Sequence, residues 1–402
     1  MPRRGRRRPP GRRLGLALAG GGPAGAVYEI GALRALEESL EGLDCNALDV
    51  YVGVSAGAFV AASLVNGVST AQLVRGMVKH EPGEHPFVPR TFFTPAYREW
   101  ALRSLQVPRV VAGMLGHLVG PNADQTFFES LTRLARALPM GLFDGEPLRR
   151  FLARTFARNG RTDDFRQLKH KLVVVSTDLV TGQAIRFGGE GWDHVPISTA
   201  VEASCALPGF YAPVRVDGHD CVDGVLLRTL HASIALEDGA NLLLCVNPIV
   251  PADLSKTERS GSSADRTIMK RGLPTVLSQT FRTLIHSRLQ VGMSTYKRRF
   301  PDADVLLFEP ARDEYRMFFT NIFSFANRRR VCELAYESTR RHLLERYAEL
   351  APVLARHGLT LRRDVLEDES RTVWGGSGLT AADMAPVMQE LGRALEALEA
   401  RQ

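Results

Sequence analysis

The segment Gly53-Val54-Ser55-Ala56-Gly57 holds a serine between small residues, which is the G-x-S-x-G pattern of a nucleophilic serine. It joins an apolar run, DVYVGV, to an apolar segment of helical character, AFVAASLVN. A sharp turn between a strand and a helix lifts the serine side chain out of the strand end, and the flanking glycines leave room for an acyl group. We therefore predict that Ser55 is a nucleophile. A glycine-rich helix start that Ser55 merely caps is the alternative.

A run of glycines, GGGPAG at residues 20–25, precedes this serine along the chain. Consecutive glycines let backbone N–H groups converge on an anion, and a following helix adds a positive dipole end. The run also matches the G-x-G-x-x-G of a dinucleotide-binding loop, which needs an acidic residue about 20 positions on, at the end of the second strand. Asp44 and Asp49 have usable spacing, but Asp44 precedes that strand and Asp49 begins it. A dinucleotide-binding loop and a tight turn that serves packing are both alternatives for this glycine run.

Asp223-Gly224 ends a predicted strand in the sequence CVDG. An aspartate at a strand end, followed by glycine, can project into a cleft at the edge of a sheet. A plain turn is the alternative, as Asp217-Gly218 illustrates. An α/β-hydrolase would instead supply a later histidine as the base, but several strands would precede its serine. His231 and His286 follow acidic residues, and neither has a distinguishing context.

The elements that must position these motifs follow from hydrophobic periodicity. Two strand–turn–helix units come first, and such units predict an α/β fold with a mainly parallel sheet. Their segments are Leu14–Ala19 and Asp49–Val54 as strands, and Ala26–Leu40 and Ala56–Asn66 as helices, with Gly20–Gly25 as a turn. Further predicted strands are Lys171–Val175, Ala184–Phe187, a hairpin of Val214–Val216 and His219–Val222 around an Asp-Gly turn, Asn241–Val246 and Ala303–Phe308. Ile197–Ala206 is predicted as a short helix.

Two regions of helical character surround this core. Residues 69–160 read as a mainly helical insertion, in which Leu105–Gly120 is either core or a lid over a lipid site. Residues 249–402 read as a mainly helical C-terminal region, with one strand near 303–308. Its segments are a polar linker at 251–272, long helices at Thr275–Arg299 and Asn327–Arg356, and a terminal helix at 379–398.

The net charge of +7 lies entirely in the first 13 residues, which hold seven arginines and no acid. The rest of the chain carries 44 basic and 44 acidic residues, so a basic nucleic-acid-binding fold is not expected. We predict a disordered arm at 1–13. The arm and LGLALAGGG also look like a signal peptide, but the apolar run is short and cleavage would remove the glycines. Five scattered cysteines favour free thiols in a reducing compartment.

The three motifs in this order resemble the patatin-like phospholipase family. The resemblance covers roughly residues 14–248 and includes the connecting segments LALAGGGPAGAVYEIGALRAL, DVYVGVSAGAFVAASLVNG, VVVSTDLVTGQAIRFG, AVEASCALPGFYAPV and VDGVLLRTLHASIALEDGANLLLCVNP. It implies a three-layer α/β sandwich and a Ser–Asp dyad without histidine. In that dyad, Asp223 would take the proton of Ser55.

The resemblance also implies an oxyanion hole formed by Gly20, Gly21, Gly22 and the N–H of Ala56. The motif glycines Gly25, Gly53, Gly57 and Gly224 complete the site. Neither a metal nor a cofactor is required, and no metal-ligand cluster is visible. The implied reaction is hydrolysis of ester bonds in phospholipids or other acyl lipids, with Leu105–Gly120 and Met317–Phe325 as candidate acyl-contacting segments.

Two positions depart from the family pattern. The glycine loop of the family usually carries Lys or Arg where Ala24 stands, and Gly or Ala usually follows Asp-Gly where Val225 stands. A weakened or inactive lipid-binding or scaffold protein is therefore the alternative function. We expect a cytoplasmic protein that meets anionic membranes peripherally through Arg3–Arg13, at about 1 kcal/mol per Arg near the surface. A solvated tail is the other reading of the arm, and the oligomeric state is left open.

Overall fold

The computed structural model describes residues 13–78, 92–105, 108, 139–158, 160–251, 273–311 and 325–375. Several predicted features lie wholly or mostly outside these ranges: nearly all of the Arg-rich arm, most of Leu105–Gly120, nearly all of the linker at 251–272, most of Met317–Phe325 and the terminal helix at 379–398. Within the described residues, no helix is long and apolar enough to cross a bilayer.

In chain order the described strands are β1 (Leu14–Leu18), β2 (Leu40–Glu41), β3 (Val50–Val54), β4 (Gly141–Phe143), β5 (Lys171–Asp178), β6 (Ala184–Phe187), β7 (Gly209–Tyr211), β8 (Val214–Val216), β9 (His219–Asp223), β10 (Leu242–Val246), β11 (Asp304–Phe308) and β12 (Thr360–Leu361). The described helices are α1 (Gly22–Ser39), α2 (Ala56–Val65), α3 (Thr70–Val78), α4 (Tyr97–Ser104), α5 (Glu146–Phe156), α6 (Ile197–Ser204), α7 (Ala232–Glu237), α8 (Leu273–Arg299), α9 (Phe325–Glu345), α10 (Tyr347–Arg356) and α11 (Arg363–Glu367).

An eight-stranded central sheet has the order β11-β10-β1-β3-β5-β9-β8, and β6 pairs with β5 outside this path. Strands β11, β10, β1, β3 and β5 run parallel to one another. Strands β6 and β9 pair antiparallel with β5, and β8 pairs antiparallel with β9. The predicted α/β fold with a mainly parallel sheet is thus confirmed. The predicted hairpin is present as well, with Asp217 and Gly218 at φ 49° and 88°.

Helices cover both faces of the sheet, because alternate residues of its central strands point to opposite sides. Leu14, Leu16 and Leu18 of β1 belong to a core that α1, α2 and α9 share. Ala17 belongs to a second core, which contains residues of α7 and α8. The result is the three-layer sandwich that the resemblance implied.

Helix α1 begins at Gly22 rather than at Ala26, so part of the predicted turn is helical. Pro23 explains the early start, because its fixed φ suits the first turn of a helix and its missing N–H would have no partner there. The glycine loop is consequently shorter than predicted, and it ends at a helix N-terminus.

The described part of the insertion contains α3, α4 and α5, together with the short strand β4 that pairs with β7. Strand β4 was not predicted, since three residues show no periodicity. Side chains of this region and of β7 expose large apolar surfaces in the described structure: Trp100 is 38%, Met140 52%, Leu142 46% and Phe210 48% accessible.

The C-terminal region packs into the same molecule as the motif-bearing part. Strand β11 extends the central sheet beside β10, and β12 pairs with β2. The long helix predicted over 327–356 is wrong as a single element, because helices α9 and α10 are separated at Arg346. The chain turns at Arg346, and β12 follows α10 and pairs with β2.

Candidate active site

Ser55 occupies the tight turn between β3 and α2 with φ 53° and ψ −123°. Among the described residues, it is one of two non-glycine positions with a positive φ. An L-residue adopts this backbone only when its surroundings enforce it, at a cost of about 1–3 kcal/mol. The residues 53–57, called the elbow below, thus form a strained turn between a strand and a helix.

The two glycines of the elbow allow a backbone contact that no side chain would permit. A Cβ on Gly57 would lie 2.5 Å from the carbonyl oxygen of Leu18, and one on Gly53 would lie 2.5 Å from the Cα of Ala58. The N–H of Gly57 donates to the carbonyl of Ala19 at 3.2 Å. The elbow is therefore pressed against the end of β1, where the glycine loop begins.

Ser204 supports the elbow from α6. The backbone N–H of Ser55 donates to Ser204 Oγ at 2.8 Å, and this hydroxyl donates to the carbonyl of Val175 at 2.6 Å. Sequence reasoning missed Ser204, because nothing in its local pattern distinguishes it from other helical serines. Its role depends on the approach of α6 to β3 and β5.

Strand pairing places Asp223 beside Ser55. Val175 of β5 pairs with Val54 at the end of β3, and the next residue, Ser176, pairs with Asp223 of β9. Strand β6 pairs with the same stretch of β5, so it occupies the opposite edge. Along the other edge of β5, β3 is the partner up to Val175 and β9 is the partner from Ser176 onward. Asp223 therefore occupies the position at which Ser55 would pair with β5 if β3 were one residue longer.

The Asp223 carboxyl is held on one side and faces Ser55 on the other. Its Oδ1 accepts the N–H of Val225 at 2.9 Å. Gly224 is required here, because a Cβ would lie 2.5 Å from the carbonyl oxygen of Val175. Burial raises the pKa of Asp223 to about 7, while hydrogen bonding from the Ser55 side chain and from the Val225 N–H lowers it. The result is a carboxylate far more basic than an exposed one.

The glycine loop borders Ser55 directly. A Cβ on Gly20 would meet the Cβ of Ser55 at 3.2 Å and Cγ2 of Val225 at 3.3 Å. The N–H of Gly20 donates to the carbonyl of Thr229 at 3.3 Å. Gly22 and Ala56 are the first residues of α1 and α2, where an N–H has no intrahelical acceptor. Helix α2 thus begins directly after Ser55, and helix α1 begins two residues after Gly20.

Pro248 packs under the glycine loop, and sequence reasoning assigned it no role. A Cβ on Gly21 would lie 2.6 Å from Pro248 Cγ, and one on Gly25 would lie 3.0 Å from the same atom. The two glycines therefore serve close packing against the residues after β10. Pro248 could have been noticed as the end of the segment VNP, but only the parallel pairing of β10 with β1 brings it here.

The other candidates from the sequence have different surroundings. The ring of His231 is buried, with Nε2 3.4 Å from the carbonyl oxygen of Gly224, and burial lowers its pKa to about 4. His286 lies on α8, with Nε2 3.4 Å from the amide nitrogen of Gln290. Asp217 is the turn residue of the hairpin, and its carboxylate lies 2.7 Å from His194 Nε2.

The acids required by a dinucleotide site do not reach the glycine loop. Asp49 Oδ2 accepts the N–H of Leu14 at 2.7 Å, at the opposite end of β1. Asp44 Oδ1 accepts the N–H of Asn46 at 2.8 Å, within its own turn. The glycine loop of this fold therefore borders a serine and an aspartate rather than a ribose-binding acid.

The fold and this site define an α/β protein with a strained serine turn at the end of a parallel strand and a buried carboxylate beside it. The family model described as Patatin-like phospholipase matches residues 16–236, which is more than half of the chain. The chain belongs to the patatin-like phospholipase family, as the three motifs predicted.

Curated relatives include uncharacterized NTE family proteins of Mycobacterium bovis and Mycobacterium tuberculosis. Each is 27% identical over 242 residues, which is 60% of this chain and 31% of the relative. This chain thus spans about a third of the length of the relatives that it matches.

Solved structures with similarity to the chain include VipD from Legionella pneumophila. The similarity has a TM-score of 0.36 at 15% identity and covers 87% of this chain and 67% of VipD. Human GIVD cytosolic phospholipase A2, in complex with methyl gamma-linolenyl fluorophosphonate, also has a TM-score of 0.36. Its identity is 12%, with coverage of 87% and 60% of the two chains.

Proposed function

We propose that this protein is a serine acyl hydrolase that cleaves ester bonds of phospholipids or other acyl lipids through a dyad of Ser55 and Asp223. The single observation that supports it most is the pairing of β9 with β5, which sets the buried Asp223 carboxyl beside a strained serine. Family membership supports the same chemistry and a lipid substrate.

In the first half of the reaction, Asp223 accepts the proton of Ser55 Oγ while that oxygen forms a bond to the ester carbonyl carbon. The carbonyl oxygen becomes an oxyanion, which the N–H groups of Gly21, Gly22 and Ala56 stabilise. Gly20, whose N–H is engaged by Thr229, shapes the loop. Loss of one such donor typically costs about 3 kcal/mol of transition-state stabilisation. The carbon–oxygen bond to the leaving alcohol then breaks, and Asp223 returns the proton to that alcohol.

In the second half, water attacks the acyl group on Ser55 and Asp223 accepts its proton. Collapse of the second tetrahedral species releases the carboxylic acid and restores the Ser55 hydroxyl with the proton from Asp223. Burial of Asp223 serves both halves, because a desolvated carboxylate is a stronger base than an exposed one. All proton transfers involve these two side chains, the substrate and water.

The experiment is labelling of Ser55 by a fluorophosphonate, together with release of p-nitrophenol from medium-chain esters. We expect wild type to label and to hydrolyse, Ser55→Ala to do neither, and Asp223→Asn to lose at least about 100-fold in rate, the scale of general-base catalysis. Asp217→Asn is the matched control, since it changes the other Asp-Gly pair of the same hairpin. Equal rates in wild type and both dyad variants would exclude this mechanism.

A lipid-binding protein without catalysis is the second candidate. Two residues favour it. Ala24 stands where the glycine loop of the family usually carries Lys or Arg, and Val225 occupies the space next to Gly20. The same labelling separates the two functions, because a site without an activated serine does not react. Retained binding of lipid vesicles without labelling would favour this second function.

A further inference from the structure

Val225 is an apolar side chain that lies beside both the glycine loop and the serine turn. From the Cβ position of Gly20, Cγ2 of Val225 lies at 3.3 Å and the Cβ of Ser55 at 3.2 Å. The two side chains therefore flank Gly20 at van der Waals distance. The side chain of Val225 has no group that takes part in the proposed reaction, so its effect on that reaction is steric.

The backbone around Val225 fixes the position of this side chain. Gly224–Leu226 form a 3₁₀ turn that Asp223 caps, since Asp223 Oδ1 accepts the N–H of Val225 at 2.9 Å. The N–H of Leu227 closes the turn on the carbonyl of Gly224 at 3.2 Å. A β-branched side chain has few choices of χ1, so Val225 forms a rigid wall.

The glycine loop is tied to the same segment of the chain as this wall. The N–H of Gly20 donates to the carbonyl of Thr229 at 3.3 Å, and the N–H of Ala19 donates to the carbonyl of Val246 at 3.1 Å. The contact between Gly20 and Val225 is therefore held from both sides, and a substrate does not widen it at low cost.

Val225 lies nearer to solvent than the two side chains of the dyad. Ser55 is 7% and Asp223 2% accessible, whereas Val225 is partly exposed. Leu226 and Leu227, which follow it, are also partly exposed. The rim of the site on the Asp223 side is thus apolar, and a substrate bound at Ser55 contacts it.

The path of the proton decides which part of an ester meets Val225. In the proposed reaction Asp223 gives the proton to the oxygen of the leaving alcohol, so this oxygen has to approach the Asp223 carboxyl. Val225 is hydrogen-bonded to that carboxyl, and it flanks the loop that would hold the carbonyl oxygen. The first carbon of the alcohol is therefore the part of the substrate closest to the Val225 methyl groups. A methylene group fits at this position, whereas a carbon with a second substituent meets the wall.

We propose that Val225 determines the alcohol specificity of this site and selects esters of primary alcohols over esters of secondary alcohols. This inference rests on the proposed function, because it requires hydrolysis through Ser55 and Asp223. In a glycerophospholipid, the ester at the terminal glycerol carbon is primary and the ester at the central carbon is secondary. The terminal ester is then the bond that this site cleaves.

The test compares n-butyl octanoate with sec-butyl octanoate, which are isomers with the same acyl group. The readout is the ratio of the two kcat/KM values on one protein preparation, so that any change in the folded fraction cancels. We expect wild type to favour the n-butyl ester about 10- to 200-fold, the scale of one carbon group in a close-fitting pocket. Val225→Ala should lower this ratio several-fold, and Val225→Gly should bring it close to unity.

Two variants serve as controls. Val225→Thr keeps the branched shape and should retain the ratio, because volume rather than apolarity sets it. Val180→Ala shortens a valine that is 77% accessible in the turn after β5, and it should leave the ratio unchanged. A second pair of substrates, p-nitrophenyl octanoate and its isomer branched next to the carbonyl, tests the acyl side. The ratio of this pair should be the same in wild type and Val225→Ala.

A phospholipid with different acyl chains on the two glycerol carbons gives the same comparison on a lipid. Wild type should release the terminal chain, and Val225→Gly should release both. The inference is overturned, with the proposed function intact, if wild type hydrolyses the two butyl esters equally, if Val180→Ala changes the ratio as much as Val225→Ala, or if Val225→Ala changes only the acyl-branched pair. Absence of hydrolysis of every ester by folded wild type would instead overturn the proposed function, and this inference with it.

Discussion

The raised pKa of Asp223 results from the burial of its carboxyl, since an exposed aspartate is much less basic. Asp223 is 2% accessible, and desolvation alone raises the pKa of its carboxyl, against two hydrogen bonds that lower it. His231 experiences the converse, since burial disfavours its charged form and lowers its pKa to about 4. At neutral pH the histidine is neutral, and the aspartate is near the midpoint of its titration.

The pH dependence of serine labelling follows from the pKa of Asp223. Its folded-state pKa is about 7, so below that pH the carboxyl holds its proton and cannot accept the one from Ser55. We expect the fluorophosphonate labelling rate to rise with pH through about 7 and to level off above about 8. The measurement is a stopped time course at each pH with a buffer-matched series.

Asp223→Asn serves as the reference for that profile. It should label slowly and without the step near pH 7, because an amide does not titrate in this range. A wild-type midpoint below pH 5 would show that Asp223 is either solvated or not the base.

At the scale of elements, the elbow depends on an interaction between helices and strands that are distant in sequence. Ser204 at the end of α6 links the N–H of Ser55 to the carbonyl of Val175. Glycines at positions 53, 57 and 224 allow the backbones to approach closely enough for this link. The strain at Ser55 is sustained by these contacts.

Ser204→Ala is expected to weaken both folding and labelling. It leaves the buried N–H of Ser55 without an acceptor, which should lower the free energy of unfolding by about 1–3 kcal/mol. The labelling rate of Ser55 should also fall, because its backbone is held less firmly. Urea unfolding and the labelling assay measure the two effects.

Ser63→Ala is the matched control for this change. Ser63 is also buried, but its hydroxyl donates to the carbonyl of Phe59 within the same helix, so its loss leaves no N–H unpaired. Equal effects of the two substitutions on labelling would contradict the supporting role of Ser204.

At the scale of the whole molecule, the C-terminal helices are part of the core that holds the glycine loop. Helix α9 packs across α1, and a Cβ on Gly31 would lie 2.4 Å from the carbonyl oxygen of Cys332 and 2.9 Å from the Cβ of Ala335. The boundary predicted at residue 248 remains a prediction, and β11 continues the sheet beyond it.

Gly31→Ala tests this packing. Alanine is the better helix former by about 1 kcal/mol, yet its methyl group must push α1 and α9 apart, which costs about 1–3 kcal/mol. We expect net destabilisation in urea unfolding. Gly76→Ala in α3 has open space around the new methyl group and should stabilise the protein. If both substitutions stabilise, then α9 does not pack closely on α1.

Much of the site was predictable from local patterns. The motifs at Ser55, Asp223 and the glycine loop indicated a strand–turn–helix nucleophile and a carboxylate at a strand end, and their order indicated the family. The mainly parallel character of the sheet also followed, because successive strand–turn–helix units lay their strands side by side in one direction. These features depend on residues that are neighbours in sequence.

Other features depended on the tertiary structure. The register of β5 decided that β9 continues where β3 stops, which brings Asp223 to Ser55. The packing of α6 selected Ser204 as the support, and the pairing of β10 with β1 brought Pro248 under the loop. Local sequence determines backbone preference over a few residues, whereas contacts between distant segments are decided by which faces can be buried together. The chain by itself therefore determined the chemical groups of this protein, and the burial and pairing of the folded sheet determined which of them meet.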